Sequence, residues 1–185
     1  GFDGIEFSGI RVAEDENPAD VASRIQEKCE EVGIEPINYT IAADFINNKG
    51  SWEDEVERLK GEVKIADILG VKGMRHDATT GFPPDYNQAR GFENALPTLI
   101  KGCKAVTEYA ADYGIKTMVE NHGFFCQDSE RVEKLVNGVD HPNFGVLLDI
   151  ANFLCVDEEP TKAIGRLMPY VSHVHAKDFH IKSGT

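Results

Sequence analysis

The feature that most restricts the fold of this sequence is a junction, repeated three times, at which a helical pattern meets glycine and a β-rich segment follows at once. The junctions are Val32-Gly33-Ile34, Leu69-Gly70-Val71 and Tyr113-Gly114-Ile115. Glycine after a helix tolerates the left-handed backbone conformation that ends the helix, so the chain can turn directly into a strand. The sequence therefore predicts helices and strands in alternation.

Helix-start signals and apolar periodicity place five helices along the chain. Asn17 is an N-cap before a first-turn proline, Pro18, and Ser51 with Asp54 forms a capping box. A third helix is predicted over residues 92–113, and two shorter ones follow near 129–137, behind Ser129, and near 160–168. The strands predicted around these helices cover residues 4–8, 34–41, 71–76, 115–120, 144–149 and 171–176.

Strict alternation of strand and helix is typical of a parallel sheet covered by helices. A doubly wound open sheet fits this pattern too, but the Gly-rich phosphate-binding loop usual after its first strand is absent. We therefore predict a single α/β domain over residues 1–185, a (β/α)8 TIM barrel. Six βα units are visible, and a complete barrel needs roughly 200 residues or more. The first and last strands of the barrel are expected to be missing from this sequence.

The amino-acid composition limits which classes of partner the protein can be expected to bind. The formal charge is −13, with 32 acidic against 19 basic residues and no basic run, which argues against nucleic acid. No apolar run approaches the roughly 20 residues of a membrane span, and no secretory signal opens the chain. The four cysteines lie far apart with no Cys-x-x-Cys pair, as expected for reduced thiols. We expect a cytoplasmic protein without nucleic-acid or membrane partners.

Polar side chains follow the predicted strands where each strand ends. The carboxyl ends of barrel strands converge on one mouth, so residues distant in sequence can meet there. The strand ends in question are Glu6, Arg75-His76-Asp77, Glu120-Asn121-His122, Asp149 and the segment His173-Val174-His175-Ala176-Lys177-Asp178.

Two of these acids pose an energetic problem. Glu120 follows Thr117-Met118-Val119, and Asp149 ends the apolar run Phe144 to Leu148. A buried carboxylate costs several kcal/mol unless a cation or hydrogen-bond donors satisfy it. The alternatives are that Glu120 lies just past its strand, solvated or paired with a lysine, and that Asp149 caps a turn over residues 150–154.

The sixth strand carries two histidines that point to the same side, because side chains alternate along a strand. We choose His175, nearer the mouth, as a metal ligand, and expect His173 to support it or to pack. Glu120, Asp149 and His175 then form an oxygen-rich site with one imidazole. Such a set favours Mn²⁺, Mg²⁺ or Co²⁺, with Zn²⁺ and Fe²⁺ as further candidates. A fourth ligand is expected outside this sequence.

These motifs together resemble the xylose isomerase-like TIM barrels, the sugar phosphate isomerases and epimerases. Residues 1–6, Gly-Phe-Asp-Gly-Ile-Glu, look like the second-strand entry of that family, and Val119-Glu120-Asn121-His122 looks like its strand with the first metal Glu. Leu148-Asp149 is similar to the Asp-bearing strand, and residues 173–178 are similar to the His-x-His-x-Lys-Asp segment with the metal His. The resemblance covers essentially the whole chain.

The resemblance implies a divalent-metal-dependent isomerase or epimerase acting on a sugar, free or phosphorylated. Glu120 would be the catalytic base, and Arg75, His122 and Lys177 would bind substrate oxygens, although each fits a structural or solvated charge as well. The sequence departs from the ketose epimerases at Asn152, where those enzymes carry a histidine three residues after the metal Asp. The last metal Glu of the family has no counterpart before Thr185, so the chain alone is expected to be inactive.

Three alternatives stay open. The first is a lyase resembling inosose dehydratase, which expels a β-hydroxyl after the same proton abstraction. The second is an apurinic-site endonuclease, which needs more histidines than the six present and a basic face. The third is a barrel that binds sugars or polyols without catalysis. A homo-oligomer also stays open for the full-length protein.

Overall fold

The structure is a computed structural model, and it describes residues 1–180. Its elements alternate as predicted. The strands are β1 (Gly4–Ser8), β2 (Glu35–Ile41), β3 (Gly73–His76), β4 (Lys116–Glu120), β5 (Phe144–Asp149) and β6 (Val171–His175). The α-helices are α1 (Pro18–Val32), α2 (Trp52–Leu69), α3 (Phe92–Ala111), α4 (Ser129–Val139) and α5 (Pro160–Leu167), with 3-10 turns at Asn152–Val156 and Met168–Tyr170.

The six strands form one parallel sheet in the order β1-β2-β3-β4-β5-β6. Each strand therefore pairs with its neighbour along the chain, and each helix is a crossover between adjacent parallel strands. The sheet curves enough for Glu6 of β1 to contact His175 at the end of β6, Oε1 to Nε2, at 2.8 Å. The predicted fold is confirmed: the described residues form an incomplete TIM-type barrel.

Local signals explain where the helices begin and end. The three junction glycines, Gly33, Gly70 and Gly114, have positive φ angles of 69°, 78° and 67°, which only glycine adopts at little cost. The predicted capping box of Ser51 and Asp54 is present. Some details differ from prediction: Asp128 rather than Ser129 caps α4, β3 begins at Gly73 rather than at residue 71, and α3 ends at Ala111 rather than at residue 113.

The core lies between the sheet and the helices. Fully buried side chains of α2, α3 and α4, among them Leu59, Leu99 and Leu135, pack in one cluster with Val146 and Leu148 of β5. Every residue of β5 is buried, because helices cover its outer face while the barrel interior covers its inner face. Among the described residues, no helix is both long and apolar enough to cross a bilayer.

Candidate active site and metal centre

The last residues of three adjacent strands meet at the mouth of the sheet. Glu120 ends β4, Asp149 ends β5 and His175 ends β6. Asp149 lies directly opposite His175 in the register of the two strands. One ligand atom from each of the three side chains lies within 4.8 Å of the other two. Parallel pairing in register is what brings these groups together, since each strand delivers its last side chain to the same rim.

Glu120 is buried, with 7% of its surface exposed. Its Oε2 accepts a charged hydrogen bond from the Arg75 guanidinium at 2.7 Å, and its Oε1 accepts one from Asn152 Nδ2 at 3.1 Å. The carboxylate is therefore not solvated beyond its strand, and its cationic partner is an arginine rather than a lysine. A buried ion pair of this kind satisfies the charge of Glu120 without a metal.

Asp149 is also buried, with 3% exposed. Its Oδ2 lies 2.7 Å from Lys177 Nζ, and its Oδ1 accepts from the backbone N–H of Ala151 at 3.1 Å. The Asn121 side chain fixes the Asp149 backbone, accepting from its N–H at 2.7 Å and donating to its carbonyl at 2.8 Å. Asp149 therefore does cap the turn that follows β5, and it also presents its second oxygen to a cation.

His175 and His173 both face Glu6, so the prediction that they point to the same side is correct. His175 Nε2 lies 2.8 Å from Glu6 Oε1, and His173 Nε2 lies 3.4 Å from Glu6 Oε2. Burial alone would raise the pKa of the Glu6 carboxyl, but the Asn38 hydrogen bond and the nearby His175 lower it below its ordinary value. Burial lowers the pKa of the His173 imidazole below its ordinary value, although the nearby Glu6 carboxylate acts in the opposite direction.

The three residues predicted to bind substrate have protein partners here. Arg75 bridges Glu120 and Asp77, the latter at 2.8 Å, and its terminal nitrogen lies 3.1 Å from His122 Nδ1. Lys177 bridges Asp149 and Asn152 Oδ1, the latter at 2.7 Å. His122 and Lys177 have 51% and 42% of their side chains exposed. The two exposed residues can reach a ligand in the mouth, whereas Arg75 is enclosed by its ion pairs.

Sequence reasoning assigned no role to four residues that shape this rim: Glu6, Asn38, Asn121 and Asn152. Glu6 lies inside β1, two residues before the end of that strand at Ser8, whereas Glu120 is the last residue of β4. The three asparagines gave no signal in the sequence, because a polar residue near a strand end is common. Their hydrogen bonds to Glu6, Asp149 and Glu120 emerge only in three dimensions.

A cavity of about 940 Å³ lies between strands β1 and β2 and helices α1 and α2. Its wall includes Ser8, Thr40 and Asp77 and apolar side chains of α2 such as Ile65 and Ile68, but Glu120, Asp149 and His175 do not line it. Arg75 belongs both to this wall and to the ion pair with Glu120. The volume suits a small organic molecule, which pockets of roughly 300–1,000 Å³ commonly hold.

Glu120, Asp149 and His175 fit a divalent cation by their chemistry. Two carboxylates and one imidazole are the donors that Mn²⁺, Mg²⁺ and Co²⁺ accept. Both acids are paired with a cationic side chain, Arg75 or Lys177, which indicates that this position favours positive charge. Lys177 is partly exposed and can move aside, which would free an oxygen of Asp149.

Comparison with known proteins shows which family this fold belongs to. All of residues 1–185 match the model of the xylose isomerase-like TIM barrels. The chain belongs to this family. Its resemblance to that family, inferred from the strand-end motifs, is therefore confirmed.

Individual relatives are distant. A 3-dehydroshikimate dehydratase of Bacillus anthracis is 22% identical over 186 residues, which cover 96% of this chain and 62% of the dehydratase. A 3-keto-D-glucoside 4-epimerase of E. coli superposes with a TM-score of 0.75 at 14% identity, over 95% of this chain and 68% of the epimerase. A D-psicose 3-epimerase superposes with a TM-score of 0.73 at 19% identity, over 95% of this chain and 63% of that structure. This xylose isomerase-like chain thus spans less than two thirds of the dehydratase.

Proposed function

We propose that this chain belongs to a divalent-metal-dependent isomerase or epimerase of a sugar or sugar phosphate, which removes a proton next to a carbonyl group. The observation that carries the proposal is the approach of Glu120, Asp149 and His175 at the mouth of the sheet, where their ligand atoms lie within 4.8 Å of one another. The sugar epimerases among its structural neighbours support the same class.

In this proposal Glu120, Asp149 and His175 hold the metal. When bound, the metal supplies Lewis-acid polarisation of a substrate carbonyl and its neighbouring hydroxyl. With the metal held there, the ammonium group of Lys177 would lose its contact with Asp149 while keeping its hydrogen bond to Asn152 Oδ1, and it could donate a further hydrogen bond to a substrate oxygen.

Glu120 acts as the base. Its Oε1 has a neutral donor, Asn152, as partner, while Arg75 holds Oε2, so Oε1 is the atom that takes the proton. Removing a proton from the carbon next to the carbonyl leaves an enediolate-like electron pair. Return of a proton to the opposite face of that carbon gives an epimer, and return to the neighbouring carbon gives an isomer. His122 would hold a substrate oxygen during this exchange, while Arg75, enclosed by its ion pairs, would hold the Glu120 carboxylate in position.

Exchange of carbon-bound hydrogen with solvent tests this proposal directly. The full-length protein is stripped of metal, reloaded with Mn²⁺, and incubated in D₂O with a panel of free and phosphorylated ketoses. We expect deuterium next to the carbonyl of one substrate, detected by NMR, and loss of that exchange by at least about 100-fold in Glu120→Gln. Glu108→Gln changes an exposed glutamate of α3 in the same way and should leave the exchange unchanged.

A dehydratase is the second candidate, favoured by the relative from Bacillus anthracis and by Asn152, which stands where ketose epimerases carry histidine. The same proton abstraction would then be followed by loss of the β-hydroxyl, which leaves as water after taking a proton from an acid such as His122. Incubation with 3-dehydroshikimate and with cyclic polyol ketones separates the two candidates. A conjugated product absorbing in the ultraviolet identifies a dehydratase, and solvent deuterium in an otherwise unchanged or epimeric sugar identifies an epimerase.

If no substrate in either panel exchanges hydrogen or loses water in the Mn²⁺-loaded protein, the proposal of a catalytic barrel is wrong.

The proposal includes a cytoplasmic location and a small-molecule sugar or polyol as ligand. The location is supported by the four cysteines, which are all free, as cysteines are in a reducing compartment.

A further inference from the structure

A second group of metal-ligating side chains adjoins the group of Glu120 and Asp149 and shares His175 with it. It consists of Glu6 from β1 and of His173 and His175 from β6, and we refer to it as the Glu6 cluster. One ligand atom from each side chain lies within 4.8 Å of the others. It differs in composition from the acid-rich group, because it has two imidazoles and one carboxylate.

The atoms of the Glu6 cluster are arranged as ligands of a single ion would be. Each carboxylate oxygen of Glu6 faces one imidazole Nε2, at 2.8 Å for His175 and 3.4 Å for His173. Nitrogen and oxygen atoms bound tetrahedrally to one zinc ion at about 2.0–2.2 Å lie roughly 3.3 Å from each other. Both separations are close to that value, so small side-chain movements admit an ion.

The surroundings of the Glu6 cluster also suit a metal site. Asn38 Nδ2 donates to Glu6 Oε2 at 2.7 Å and thereby fixes the orientation of the carboxylate, as outer partners of metal ligands do. The side chains of Glu6, His173 and His175 are 21%, 23% and 32% exposed. An ion and a water molecule can therefore reach the cluster from the mouth.

We propose that Glu6, His173 and His175 form a zinc-binding site that is distinct from the site of Glu120, Asp149 and His175 and shares only His175 with it. Two imidazoles, one carboxylate and a solvent-accessible fourth position are a donor set that Zn²⁺ prefers, whereas the acid-rich group suits Mn²⁺ or Mg²⁺. Both sites use His175, and a neutral imidazole has one lone pair for a metal. Zinc in the Glu6 cluster and manganese in the acid-rich group therefore exclude each other.

Metal titration of the chain tests this inference, whatever reaction the protein catalyses. Zn²⁺ and Mn²⁺ affinities are measured by calorimetry on metal-free protein in a Cys155→Ser background, since Cys155 is an exposed thiol. We expect His173→Asn to weaken Zn²⁺ binding by at least about tenfold while Mn²⁺ binding changes less than about twofold. Asp149→Asn should have the opposite selectivity, and His175→Asn should weaken both.

His141→Asn is the matched control, because His141 lies in the loop before β5, at the opposite end of the barrel. It should leave both affinities unchanged. Prior saturation with Mn²⁺ should raise the apparent Kd for Zn²⁺ in the Cys155→Ser protein. The inference is overturned if His173→Asn leaves Zn²⁺ affinity intact, if Asp149→Asn weakens Zn²⁺ as much as Mn²⁺, or if both ions bind together. Those results are independent of sugar turnover, so they are separable from a failure of the proposed function.

Discussion

At the scale of single residues, the stability of the barrel mouth depends on how the charge of each buried acid is neutralised. Arg75 and Glu120 form an ion pair in which the side chains are only 7% and 8% exposed. Their charges are therefore poorly screened by water. Breaking a buried pair by removing one partner is far more costly than replacing both, because the remaining charge is left uncompensated.

We predict that Arg75→Met lowers the free energy of unfolding by about 3–5 kcal/mol, since Glu120 would stay charged and buried. Adding Glu120→Gln should restore most of that loss, because the amide needs no cationic partner. Urea denaturation of the two single variants and the double variant, treated as a double-mutant cycle, measures the coupling. A cost for Arg75→Met that Glu120→Gln leaves unchanged would contradict this account.

At the scale of elements, one carboxylate ties together the loops that follow β2 and β3. Asp44 accepts hydrogen bonds from the backbone N–H groups of Ile46, Asn47 and Thr80 at 2.9, 2.7 and 2.8 Å and from the hydroxyls of Thr79 and Thr80. Burial alone would raise the pKa of Asp44, but these donors lower it below its ordinary value. The two loops flank the mouth, so their order depends on an ionised Asp44.

We predict that Asp44→Asn destabilises the protein at neutral pH and that the difference from the unchanged protein shrinks in acid. The carboxyl has an ordinary pKa of 3.8 and a lower one when folded. Its stabilisation is therefore complete above the ordinary value and is lost as pH falls through the folded value. Thermal unfolding of both proteins from about pH 7 to about pH 3 measures the effect. Asp85→Asn, at an exposed loop position, is the control. A stability difference between Asp44→Asn and the unchanged protein that stays constant with pH would contradict this prediction.

At the scale of the whole molecule, the proposed metal site joins the ends of three strands that are distant in the sequence. Glu120, Asp149 and His175 are contributed by β4, β5 and β6. They come together only in the folded chain, so the unfolded chain has no comparable site. A ligand that binds only the folded state stabilises it in proportion to the logarithm of its concentration.

We predict that Mn²⁺ raises the melting temperature of the chain, with about 2.7 kcal/mol of added stability at 100 times its Kd. Asp149→Asn should abolish the increase, and EDTA should reverse it. Asp112→Asn, an exposed change at the end of α3, should retain it. Equal increases in melting temperature for the unchanged protein, Asp149→Asn and Asp112→Asn would indicate non-specific binding rather than a site.

Sequence by itself determined the order and boundaries of the elements. Gly33 and Gly70 end helices through their own backbone freedom, Gly114 turns the chain from the end of α3 towards β4, and the capping box of Ser51 acts within four residues. Such signals are local, so they can be recognised in the sequence without a structure. The positions of Glu120, Asp149 and His175 at strand ends were legible for the same reason, given parallel strands in chain order.

Only the tertiary structure decided which partners these residues meet. Arg75 and Glu120 are on neighbouring strands, yet nothing in the pattern distinguished Arg75 from Lys177 as the cation beside Glu120. The contact between Glu6 and His175 spans 169 residues, and it depends on how far the sheet curves. Curvature arises from the twist of all the strands together and the packing of helices behind them, so no segment of the sequence encodes it alone.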